Sequence, residues 1–161
     1  MKEVYLLLGS NEGGRKANLE SALEKIELCC GKVLRCSSLY ETEAWGLKEQ
    51  PGFLNQAVLV LTGLKPFPLL STLKTIERES GRTETVKWGP RVIDIDILFY
   101  AGETVNLPEL KIPHPYLHER RFTLAPLNEI AAGFVHPVLR KSVGQLLDAC
   151  TDEGAVRVVK G

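Results

Sequence analysis

Residues 4–8 form a continuous apolar run that stops at Gly9-Ser10-Asn11, the mark of a buried strand followed by a loop. Leu19, Ala22, Leu23 and Ile26 then recur at helical spacing, which predicts a first helix over residues 16–29, stopped at Gly31. Residues 33–40 read as a second strand, 41–52 as a long loop with turn residues and a lone Trp45, and 54–61 as a third strand. Pro66 and Pro68 open a second helix whose apolar face is Leu69, Leu70, Leu73 and Ile76, closed by Gly81. A loop over residues 82–91 leads into a fourth strand over 92–99.

The predicted order is β-α-β-β-α-β, the split βαβ arrangement of an α+β, ferredoxin-like core. Beyond Tyr100 the pattern loosens. AGET (101–104) reads as a hairpin tip, residues 107–115 as an extended proline-rich stretch, 119–131 as a helix interrupted at Pro126, and 142–150 as a last helix. The core is thus expected to carry additional C-terminal helices and short strands. No linker, repeat or low-complexity tract divides the chain, so a single domain over residues 1–161 is expected.

One strand breaks its own pattern. In WGPRVIDIDILFY (88–100), Ile93, Ile95 and Ile97 share one face and Asp94 and Asp96 the other, with the two aspartate Cα atoms about 6.6 Å apart. A solvated polar face gives the same alternation, but the apolar flanks Val92, Leu98 and Phe99 leave such a face narrow. Two close carboxylates repel and raise each other's pKa unless a cation neutralises them. Hard oxygen ligands suit Mg²⁺, which binds through one or two carboxylates plus phosphate oxygens and water. A pair of such ions is a device of phosphoryl transfer.

Charge sharpens this. Across 161 residues, 20 basic side chains balance 20 acidic ones, so no global field draws the chain to nucleic acid or an anionic membrane. Any anionic ligand needs a local cluster, and Arg82, Lys87 and Arg91 before the strand, with Lys111, His114, Arg120 and Arg121 after it, provide one. Guanidinium groups match phosphate oxygens in pairs. GSNEGGRK (9–16) lacks the Walker lysine and following Ser/Thr, so it reads as a strand-to-helix turn and not a phosphate loop. Phe53 and Asn55, two apart at a strand start, together suit a flat heterocycle, the ring stacking and the amide reading its edge. Phe122 offers a second ring, with core packing its competing role.

No apolar run is long enough for a membrane span, and the start turns glycine-rich and charged, against a signal peptide. The four cysteines, Cys29, Cys30, Cys36 and Cys150, form no CxxC pair, which suggests buried free thiols in a reducing, cytoplasmic setting.

The motifs GSN (9–11), YETEAWG (40–46), QPGFLN (50–55), IERESGR (76–82), WGPRVIDIDIL (88–98), IPHP (112–115) and ERRFTLAPL (119–127) together resemble the 6-hydroxymethyl-7,8-dihydropterin pyrophosphokinase family of folate biosynthesis. The resemblance runs from Leu8 to about Pro137. It implies transfer of the β,γ-diphosphate of ATP to the pterin's hydroxymethyl oxygen, with release of AMP. It implies two Mg²⁺ ions on Asp94 and Asp96, and Arg82 and Arg91 on the phosphates. On the pterin it implies Phe53 and Phe122 as the sandwich, Thr42 and Asn55 at the edge, and Trp45 in the adjoining loop. On the ATP side it implies Glu77, Trp88, Ile97 through its backbone, His114, Tyr116 and Arg120. The expected partners are these small molecules alone, bound by a monomer, with no nucleic acid and no membrane. Ala44, Glu84, Lys111 and Tyr116 depart from frequent family residues. A binding module without chemistry would leave the DxD unexplained. A different nucleotide or sugar transferase would release another product.

Overall fold

The computed structural model describes residues 1–42, 52–80 and 92–159. Its centre is an antiparallel sheet whose first strand, β1 (Lys2–Ser10), lies between β4 (Phe53–Thr62) and β5 (Asp94–Tyr100). β2 (Gly31–Cys36) and β3 (Tyr40–Thr42) both pair with β4, and β8 (Val156–Val158) extends the sheet beyond β3. The path β5-β1-β4-β2 is the ferredoxin-like order.

Alternation along the strands gives each sheet face its own core. Val4, Leu6, Leu8, Val60, Ile95 and Ile97 meet Leu19, Ala22 and Ile26 of α1 (Arg15–Cys29) and Leu69, Leu73 and Ile76 of α2 (Pro66–Glu79). Tyr5, Leu7, Ala57, Leu59 and Phe99 meet Leu124, Leu127 and Ile130 of α3 (Arg121–Ala131) and Val143 and Leu146 of α4 (Val143–Ala149). Because both faces are covered, β1 and β4 read as near-continuous apolar runs.

Several boundaries differ from expectation. The second predicted strand is two strands, because Ser37 interrupts the ladder. Its N–H donates to the Ala57 carbonyl (2.8 Å), while its hydroxyl accepts the Ala57 N–H (2.9 Å) in place of a backbone carbonyl. The stretch after Tyr100 folds as a hairpin of β6 (Val105–Leu107) and β7 (Leu110–Ile112), ending at a cis Ile112–Pro113 bond. Helix α3 runs through Pro126, whose missing N–H omits the bond to the Phe122 carbonyl. Burial of Leu124, Pro126 and Leu127 outweighs that loss. Ser142 caps α4 with a reciprocal Gln145 capping box. All four cysteines are free, but only Cys30 is buried, since Cys29 and Cys36 fall on solvent-facing positions of α1 and β2. No helix among the described residues is long and apolar enough to cross a membrane.

Candidate active site

β5 is an edge strand, and the site is built along its free side. The Ile95 N–H points away from β1 and donates to Glu77 Oε2 of α2 at 2.8 Å. By antiparallel alternation Asp94 and Asp96 turn their backbones to β1, and Ile97 turns its own outward again. Leu98 is the extra residue of a bulge between Tyr5 and Leu6, and its carbonyl accepts the His114 N–H at 3.1 Å. A cavity of about 310 Å³ opens off this edge. Its floor is Asp94 to Ile97, one wall is Leu70, Lys74 and Glu77 of α2, and the other is the β6–β7 turn with Lys111 and His114.

The expected Asp94, Asp96, Glu77, Ile97 and His114 therefore line one cavity. Lys74 lines it too and went unnoticed in the sequence, and Leu70, expected on the helix's apolar face, lines the cavity as well. Lys74 lies one helical turn beyond Leu70, beside the buried stripe of an otherwise ordinary amphipathic helix.

His114 is held neutral. Burial pushes its pKa down to about 4, Arg120 adds to the shift, and Asp94 opposes it. Its Nδ1 accepts the Tyr116 N–H at 3.2 Å, so the imidazole proton sits on Nε2. The Arg120 guanidinium lies over two rings, Tyr116 at 5.0 Å and Phe122 at 5.5 Å from their centroids. Arg120 is thus the link from His114 to Phe122, which is half-buried against the α3 core.

The other half of the candidate site lies across β1. Gly9 is paired with Asp94 on β5 and with Asn55 on β4, so the three form one row across the sheet. Directly opposed residues share a face, and two strand spacings separate Asp94 from Asn55 by about 10 Å between Cα atoms. Phe53 follows on that face, opposite Thr42 of β3. Asn55, 3% exposed, donates through Nδ2 to Thr42 Oγ1 at 3.2 Å. Gly9 makes the row possible. A Cβ there would lie 2.7 Å from Asn55 Oδ1 and 3.4 Å from Phe53 Cδ1. Its sequence signal was a glycine at a strand end, a mark of close approach.

The neighbouring Arg15 is no phosphate cradle. It forms a bidentate pair with Glu41 (Nη2···Oε1 2.7 Å) and donates to the Gly52 carbonyl at 2.8 Å. Those two residues sit on either side of segment 43–51. The expected Trp45, Arg82, Trp88 and Arg91 lie outside the described residues.

The donor set fits a hard divalent ion. Asp94 and Asp96 are half-exposed carboxylates on one face, and no group of three or more His, Cys, Asp or Glu side chains among the described residues makes a closed metal cage. Mg²⁺ needs only one or two carboxylates when phosphate and water supply the remaining oxygens. The cations Lys74 and Lys111 on the same cavity suit such an anion.

Comparison with known proteins gives the family. Residues 5–132 match the model of the 7,8-dihydro-6-hydroxymethylpterin-pyrophosphokinase family. A 2-amino-4-hydroxy-6-hydroxymethyldihydropteridine pyrophosphokinase of Aquifex aeolicus is 45% identical over 141 residues, 88% of each chain. The Bacillus subtilis protein of the same name is 41% identical over 158 residues, 98% of this chain and 90% of the relative. Among solved structures, a Plasmodium falciparum HPPK-DHPS bound to pteroate superposes with a TM-score of 0.75 at 20% identity. That superposition covers 92% of this chain but 42% of the longer one, and it speaks to the fold alone. With the family model matched over most of its length and close full-length relatives in two bacteria, the chain belongs to the 7,8-dihydro-6-hydroxymethylpterin-pyrophosphokinase family and is an enzyme.

Proposed function

We propose that the chain carries out its family's reaction with the side chains gathered around β1 and β5. The β,γ-diphosphate of ATP passes to the hydroxymethyl oxygen of 6-hydroxymethyl-7,8-dihydropterin, and AMP leaves. The observation that carries this reading is the row Asp94–Gly9–Asn55. It puts a carboxylate pair suited to a metal–triphosphate and a buried amide suited to a heterocycle on one sheet face, two strands apart.

In this reading Asp94 and Asp96 hold two Mg²⁺ ions, which supply charge neutralisation of the triphosphate. Leu70 and the outward backbone of Ile97 receive the adenine, with Glu77 fixing the strand between them. Lys74, Lys111 and Arg120 balance the phosphate charge. Neutral His114 donates its Nε2–H to a phosphate oxygen. Phe53 and Phe122 enclose the pterin, while Asn55 and Thr42 read its edge. Arg82, Arg91, Trp88 and Trp45 take the phosphate-binding, closing and pterin-side roles that the resemblance implies. The protein's contribution is mostly positioning for an in-line displacement at the β-phosphorus. Exclusion of water protects ATP from hydrolysis meanwhile.

The test is product analysis. Purified protein with MgATP and 6-hydroxymethyl-7,8-dihydropterin is expected to yield AMP and the pterin diphosphate in equal amounts. Release of ADP, or no turnover, would end this reading.

A further inference from the structure

The motif ERRFT carries two adjacent arginines, and only the first, Arg120, belongs to the proposed ligand set. The second, Arg121, turns away from the cavity to the carboxyl-terminal segment. Its Nε donates to the Asp152 carbonyl at 2.9 Å and its Nη2 to the Cys150 carbonyl at 3.0 Å. Its backbone N–H donates to Asp152 Oδ2 at 3.0 Å. Asp152 Oδ1 in turn accepts the Gly154 N–H at 2.9 Å, which orients the carboxylate.

These bonds have a particular place in the fold. Arg121 is the first residue of α3, and the N-cap position, Arg120, makes no side-chain cap bond of its own. Helix starts leave backbone N–H groups unfilled and favour negative charge. Asp152 therefore caps α3 from 31 residues away. The residues on either side of the capped N–H are Arg120 and Phe122.

The same segment then reaches the opposite side. β8 pairs with β3, Val156 lies opposite Thr42, and the Val159 N–H donates to the Leu39 carbonyl at 2.8 Å. One short stretch of chain thus ties the start of α3, which carries Phe122, to the strand that carries Thr42.

We propose that residues 150–159 are a positioning strap for the pterin subsite, with Asp152 and Arg121 as its positioning residues. The strap touches no ligand. It fixes the separation between the Phe122 ring and the Thr42–Asn55 edge, and so sets pterin affinity more than ATP affinity. This rests on the reading of Phe122 and Thr42 as pterin contacts.

The test compares Asp152→Ala, Asp152→Asn and Phe122→Ala in the full chain, with KM for each substrate, kcat and a thermal melt. Asp152→Ala is expected to raise the pterin KM roughly three- to tenfold, the scale of losing a helix cap, with ATP KM within about twofold. Asp152→Asn keeps one side-chain oxygen for the Arg121 N–H and is expected to recover most of the loss. If Asp152→Ala does not fold, Arg121→Met, which keeps the backbone cap and removes the two guanidinium anchors, carries the same comparison. An unchanged pterin KM in the strap variants beside a raised one in Phe122→Ala overturns the strap alone. An unchanged KM in all of them overturns the Phe122 reading and the strap's role with it. Equal rises in both KM values that follow the loss of melting temperature reduce the strap to a stabilising contact and overturn the proposal.

Discussion

The Glu77 carboxylate, 5% exposed, reaches from α2 to the backbone N–H of Ile95 at 2.8 Å, the residue between the two aspartates of β5. An edge strand ordinarily leaves such groups to solvent or to another strand. Here a buried side chain fills that place and fixes the strand segment from which Asp94 and Asp96 project. The bond to Ile95 needs an acceptor oxygen and no charge. Glu77→Gln is therefore expected to keep turnover within a few-fold, whereas Glu77→Ala leaves a buried N–H without its acceptor, at a cost of about 1–3 kcal/mol. Denaturant unfolding and kcat for the two variants check this. A Gln variant as impaired as the Ala variant would show that the charge matters.

Asp94 and Asp96 should behave in the opposite way. Their carboxylates share one face, and their proposed role lies with the bound metal and phosphates rather than with the fold. Asp94→Asn and Asp96→Asn are each expected to lower kcat/KM by roughly a hundredfold or more, as losing a preorganised electrostatic partner does. The melting temperature should change little. Titration of activity with Mg²⁺ should show a higher requirement in both variants. Near-normal activity with an unchanged Mg²⁺ dependence in either one would remove it from the metal site.

Gly9 gives a third expectation, on the pterin side. A methyl group there meets Asn55 Oδ1 at 2.7 Å, closer than a Cβ can sit, so the amide must move. Gly9→Ala is expected to raise the pterin KM about tenfold, in line with the loss of a buried hydrogen-bonded contact. ATP KM should change far less. Isothermal titration with each substrate separates the two, and an unchanged pterin affinity would mean that Asn55 does not read the pterin.

How much of this was legible beforehand follows from the range of each signal. The βαββαβ order was readable because periods of 3.6 and 2 are local, and the DxD was readable because two charges interrupt an apolar strand. The convergence of Phe53, Asn55 and Asp94 on Gly9 was not, since it depends on register across three strands. Pro126 was expected to break α3 because proline propensity is a local rule, while the burial that overrides it is tertiary. β8 escaped for a related reason. AVRVV is too short to stand out, and it becomes a strand by pairing with β3. The missing Walker residues were enough to reject a phosphate loop at residues 9–16, but the pairing of Arg15 with Glu41, 26 residues away, was not readable.

The last expectation concerns acid stability. His136 is 5% exposed, with its ring edge-on to Phe99 at 5.6 Å between centroids. Its Nδ1 accepts the N–H groups of Val138 at 3.1 Å and Leu139 at 3.0 Å. Burial, and secondarily the charge of His118, hold its pKa below the ordinary histidine value. His114 is lowered as well, to about 4. A group with a depressed folded-state pKa binds its proton first in the unfolded chain. Its contribution is therefore complete above about pH 6.5 and is lost as pH falls toward the folded value, by at most about 1.4 kcal/mol per pH unit for each proton. Protonating Nδ1 would also set a third N–H donor against Val138 and Leu139. His136→Asn, whose side-chain oxygen can accept the same N–H groups, is expected to lose less stability than the unmodified chain between pH 7 and pH 5 (both roughly bracketing the histidine range). Parallel unfolding curves for the two proteins across that interval would show that His136 does not set the acid limit.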